Sequence, residues 1–121
     1  MNALLLFGLF ACTAGIDGEV GTSTFSIDNQ TRDALAVSFT PGPVMEPEVL
    51  RDTIEGGEQA DVFLSGGCFG CWDQPEDVLA TLSLAPESGD AIVFDPIANG
   101  DWVEEKVGEY DAIFTLTLQE R

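Results

Sequence analysis

From Thr22 onward apolar side chains recur at every second position. Phe25 and Ile27 alternate with Thr24, Ser26 and Asp28, and Leu35, Val37 and Phe39 alternate with Ala36, Ser38 and Thr40. A period of two is the mark of a half-buried strand, because successive side chains leave opposite faces. Residues 28–33 between the two runs are polar and bond readily to their own backbone, so the pair predicts a β-hairpin with one apolar face. Pro41-Gly42-Pro43 ends its second strand. Residues 44–55 carry no clear period and fit either a strand or one helical turn near Val49.

The remainder continues in the same key. Residues 60–64 form a strand after the turn Glu55-Gly56-Gly57-Glu58, and residues 78–85 set Val78, Ala80, Leu82 and Leu84 against Leu79, Thr81 and Ser83. Ala91-Ile92-Val93-Phe94 is apolar on both faces, as a central strand would be. Asn99-Gly100 tolerates the positive φ of a type I′ turn and predicts a hairpin from Ile97-Ala98 to Trp102-Val103. The final strand sets Tyr110, Ala112, Phe114, Leu116 and Leu118 against Asp111, Ile113, Thr115 and Thr117. No segment sustains a helical period. Seven or eight short strands predict an all-β chain, a small antiparallel β-sandwich of immunoglobulin-like size spanning 22–121. The alternative is α+β with one short helix, near Val49 or in residues 76–82. The Cys-Trp-Cys framework of true immunoglobulin domains is absent, so the expectation concerns architecture alone.

Residues 3–16 break the alternation with an uncharged apolar run centred on Leu4-Leu5-Leu6-Phe7-Gly8-Leu9-Phe10. As a helix it would reach about 21 Å, against a hydrocarbon core of roughly 30 Å, which favours a signal-peptide hydrophobic region over a membrane span. Its end, Leu9-Phe10-Ala11-Cys12, resembles the lipobox of bacterial lipoproteins through Leu9, Ala11 and Cys12, with the bulkier Phe10 between them. The resemblance implies a signal peptide over 1–11 and lipidation of Cys12 as the mature amino terminus. It also implies a bacterial cell-envelope address, and Thr13 after the cysteine, where Asp would signal inner-membrane retention, favours the outer membrane. Residues 12–21 then form a Gly-rich tether of r.m.s. span about 16 Å over nine residues.

Charge sharpens this picture. The 121 residues hold 22 Asp and Glu against 4 Lys and Arg, a formal net charge of −18, with no His. Nucleic acid is excluded as a partner, since its affinity comes from cations neutralising phosphates. Anchoring to anionic headgroups must come from acyl chains, because the protein's own charge is repulsive there. The absence of His removes Ser-His-Asp and Cys-His catalysis and imidazole metal sites. So acidic a surface fits high salt, or divalent ions bridging the domain to the cell surface.

Three cysteines are present, and lipidation of Cys12 leaves Cys68 and Cys71, which an oxidising compartment should pair as a disulfide. Cys68-Phe69-Gly70-Cys71 reads as a staple shaping a loop, with a thiol-disulfide exchange site as the alternative. Calcium would need oxygen ligands, and counting from Asp95 an EF-hand loop meets Ile97 at position 3 and Lys106 at position 12, so no local motif supports it. Asp28, Asp33, Asp73, Asp77 and Asp90 in turns leave open a calcium site assembled from distant loops. Phe69, Trp72 and Trp102 are candidates for an aromatic contact surface, Phe69 and Trp72 foremost, against the alternative that Trp72 covers the disulfide and Trp102 packs in the core. Asn29-Gln30-Thr31 matches the N-glycosylation pattern. The expected role is a non-enzymatic, lipid-anchored binding or structural module whose partner is an envelope protein or a glycan. A calcium-dependent adhesion module and an envelope oxidoreductase are the competing classes.

Overall fold

A computed structural model describes residues 20–44 and 46–120, apart from the side chains at 67 and 68. Two sheets pack face to face. The strands are β1 (Val20–Gln30), β2 (Leu35–Pro41), β3 (Glu48–Val49), β4 (Thr53–Ile54), β5 (Gln59–Phe69), β6 (Leu79–Pro86), β7 (Ile92–Phe94), β8 (Val103–Lys106) and β9 (Asp111–Gln119). The first sheet has the order β3-β5-β1-β9-β8 and the second β4-β2-β6-β7. The fold is therefore the small β-sandwich that the alternation predicts. One helical turn, α1 (Pro75–Val78), precedes β6, and the segment around Val49 is strand.

The core follows the period-two reading. Phe25 and Ile27 of β1, Leu35 of β2, Leu82 and Leu84 of β6, and Ala112, Phe114, Leu116 and Leu118 of β9 are buried between the sheets. Phe25 and Phe114 are register neighbours on the parallel pair β1 and β9, and their rings stack with centroids 5.4 Å apart. Trp102 meets Phe25 edge-on at 5.7 Å, so it packs in the core as one of the two sequence readings has it. Phe39 and Phe63 make the contact between sheets, edge-on at 4.8 Å. A register shift between Phe25 and Ser26 leaves an extra residue in β5, and both Val62 and Phe63 are fully buried there. Each such side chain contributes about 1.5–3 kcal/mol of transfer free energy.

Several pairings differ from the sequence reading. β1 and β2 are not a hairpin: β1 pairs with β5 and β9, while β2 pairs with β4 and β6 in the other sheet. Residues 31–34 instead carry the chain across the sandwich, and buried Asn29 holds that corner. Its Nδ2 donates to the carbonyls of Asp33, Ile54 and Glu55, and its Oδ1 accepts from the Thr31 amide and hydroxyl. An amide so enclosed offers no access for a glycan in the folded domain. Residues 44–55 also cross, placing β3 in one sheet and β4 in the other.

The Asn99-Gly100 hairpin is overturned as well. Asn99–Asp101 is a 3₁₀ turn, Gly100 is not among the positive-φ glycines, and β8 pairs with β9. Asn99 is committed elsewhere: its Oδ1 accepts from the Glu76 amide while its own amide donates to Glu76 Oε2, both at 2.9 Å. This reciprocal pair clamps the turn to α1 and delivers Trp102 into the core. β7 lies at an edge rather than in the centre, with Val93 61% exposed. β1 opens at Val20, so Val20 and Gly21 belong to the sheet rather than to the expected tether.

Candidate functional site

The loop between β5 and α1 holds two of the residues that the sequence singles out, Cys71 and Trp72, and the end of β5 holds Cys68 and Phe69. β5 runs to Phe69, and Gly70 reverses the chain at φ 70°, a conformation that favours glycine. Behind it the Cys71 carbonyl lies directly against Gly21. A Cβ on Gly21 would overlap the Cys71 and Tyr110 carbonyl oxygens. Asp73 fastens the loop to two strands: Ser23 Oγ donates to its carbonyl at 2.7 Å, and Ser65 Oγ donates to its Oδ2 at 3.0 Å. That accounts for two of the polar side chains buried in the sandwich, Ser23 and Ser65. Asp77 then receives the Gln74 amide and opens α1.

Held in this way, the loop carries Trp72 to the far edge of the five-stranded sheet. The indole packs partly against the core, and Nε1–H donates to Glu104 Oε2 at 2.9 Å. Trp102, the residue just before β8, is buried in the core, and Glu104, two residues further on, is exposed. Gly70, Cys71, Trp72, Gln74 and Glu104 line a concavity of about 260 Å³. Its lining combines an indole and a carboxylate. This chemistry suits a cation with an apolar stem or a flat polar group laid on the indole.

The predicted residues separate here. Trp72 lines the concavity and is partly buried. Phe69 does not line it and is 70% exposed at the end of β5, across from Val20 in register. Cys12 and the side chain of Cys68, and with it the expected Cys68–Cys71 pairing, lie outside the described residues. Residues 72–74 separate Cys71 from α1, so Cys71 does not open that helix. Glu104 is the residue that sequence reasoning missed. It lies 32 positions from Trp72 on a strand the Asn-Gly signal assigns to the wrong partner, and no local pattern links the two.

Three of the five turn acids named for a distant-loop calcium site are engaged separately. Asp73 holds Ser65, Asp77 holds the Gln74 amide and Asp28 accepts from Gln30. Among the described residues no three His, Cys, Asp or Glu side chains form a metal-holding group. Among those residues, too, no helix is long and apolar enough to cross a membrane. A second surface concavity, about 400 Å³, lies along residues 49–55, where Val49 and Leu50 are exposed. Beside it Arg51 forms an ion pair with Glu58 at 2.9 Å. The hydrogen bond from Arg51, joined by one from the Glu55 amide, lowers the Glu58 pKa, and the same bond raises that of Arg51. Compared with family models, with curated proteins and with solved structures, the chain gives no match in any of the three.

Proposed function

We propose that the chain is a lipid-anchored, acidic binding module of the bacterial cell envelope, tethered through Cys12 and engaging a partner at the loop that carries Trp72. The observation that carries the binding half of this reading is the Trp72–Glu104 arrangement. An indole fixed by a hydrogen bond at 2.9 Å, beside an open concavity, is a preorganised contact at little conformational cost. The anchoring half rests on the lipobox-like Leu9-Phe10-Ala11-Cys12 and on the charge of −18, which leaves acyl chains as the means of attachment. A disulfide between Cys68 and Cys71 is the pairing this compartment favours, and it would fix the turn at Gly70 from which Trp72 projects.

Cross-linking in intact cells, followed by mass spectrometry of the attached species, tests the reading. The wild-type chain should recover the same envelope partner repeatedly, and Trp72→Ala should lose that partner while remaining folded. Unchanged recovery with Trp72→Ala would remove the site from the account.

A further inference from the structure

We propose that the partner is an extended, basic peptide segment of another protein, added as a strand along β8 with a Lys or Arg side chain in the Trp72–Glu104 concavity; this rests on the binding reading above. β8 is the edge of the five-stranded sheet, and among the described residues it pairs with β9 alone. All four of its residues are exposed, Val103 at 70%. An edge of this kind presents unpaired backbone groups along one side, which is the template for strand addition.

Charge decides which strand can use it. The sequence of β8 is Val103-Glu104-Glu105-Lys106. Antiparallel pairing with a second copy, centred on the strand, would place Glu104 opposite Glu105 twice, and like charges directly opposite are destabilising. A strand carrying Lys or Arg meets the reverse situation. Among the described residues, two of the three cations are already in ion pairs, Arg32 with Glu120 and Arg51 with Glu58. The third, Lys106, sits at the far end of β8 from Val103. The field at this edge is thus set by carboxylates, in a molecule whose net charge already draws basic partners.

The concavity supplies the specific element. Its volume of about 260 Å³ holds a long side chain, and the Trp72 ring offers a face for the stem and the cationic head. Glu104 Oε2 takes the indole hydrogen, and among the described groups Oε1 is not so engaged, leaving it to accept from the incoming cation. The hydrogen bond therefore aligns both binding groups before the partner arrives.

The test uses the full-length protein in nonionic detergent and a fluorescently labelled hexapeptide of alternating arginine and valine, at about 0.15 M salt to shorten the reach of diffuse attraction to roughly 8 Å. Anisotropy should show saturable binding that Glu104→Gln weakens about tenfold, as expected for loss of a charged hydrogen-bond partner. Glu87→Gln removes the same charge from the exposed turn after β6 and should leave affinity within about twofold. Amide resonances of Val103 to Lys106 and the Trp72 indole should shift on titration. Equal weakening by the two variants, no binding, or equal binding of a hexapeptide with glutamate for arginine would overturn the proposal. So would binding of polysaccharide but not peptide at Trp72, an outcome that leaves the wider binding reading standing; acylation of Cys12 is read out separately.

Discussion

Asn29 shows how much one side chain can organise. Residues 28–33 look like a hairpin turn because Asp, Asn and Thr favour turns, but 28–30 remain in β1 and the bend at 31–33 leads to the other sheet. The turn's destination depends on the Asn29 amide, which reaches carbonyls 4, 25 and 26 positions away. Asn29→Ala should therefore cost about 2–4 kcal/mol in chemical denaturation, since it leaves buried carbonyls without donors. A loss below about 0.5 kcal/mol would show that the corner is held by other means. Glu58 is a smaller case with a definite sign. Its folded pKa is lowered, so the contribution of the Arg51 contact is present above the unfolded carboxylate value of about 4.3 and is lost as pH falls through the folded value. The stability gap between wild type and Glu58→Gln should be constant near neutrality and close in acid. A gap that widened in acid would reverse the assignment.

At the scale of elements, the sequence makes strands and their inward faces legible, and the pairing far less so. Alternation is a local property: Ala112, Phe114, Leu116 and Leu118 identify the buried face of β9 without reference to any other strand. Pairing is decided by distant contacts, and the assumption that neighbouring strands form hairpins fails where β1 joins β5 and β9. The Asn-Gly signal fails for a related reason, because the Glu76 pair and the demand for Trp102 in the core outweigh a local turn preference. Of the site, Trp72 and the Cys-rich loop are legible as features, whereas Glu104 becomes visible only once β8 has been placed. The junction of β1 with that loop makes its own prediction. At Gly21 an added methyl would collide with two backbone carbonyls, neither of which can move without displacing a strand or the loop. Gly21→Ala should lower the melting temperature by more than 10 °C, roughly the shift that 2 kcal/mol gives a domain of this size, and should broaden the Trp72 indole resonance. An unchanged melting temperature would contradict the close approach.

For the molecule as a whole, fold and charge have separate tasks. The sandwich supplies a rigid frame from apolar alternation, with Phe25, Phe63 and Phe114 fully or almost fully buried at its centre. The acidic surface contributes nothing to that core; it sets which surfaces the domain approaches and which it avoids. On the proposed reading, acyl chains on Cys12 would hold this acidic body beside a membrane whose anionic headgroups repel it, and the short chain between Cys12 and β1 would keep the domain near that surface. The most direct measurement is the intact mass of the protein purified from the cells that make it. The account predicts a chain that begins at Cys12 and carries fatty acyl mass. A chain that begins at Met1 with no acyl group, recovered in the soluble fraction, would contradict it.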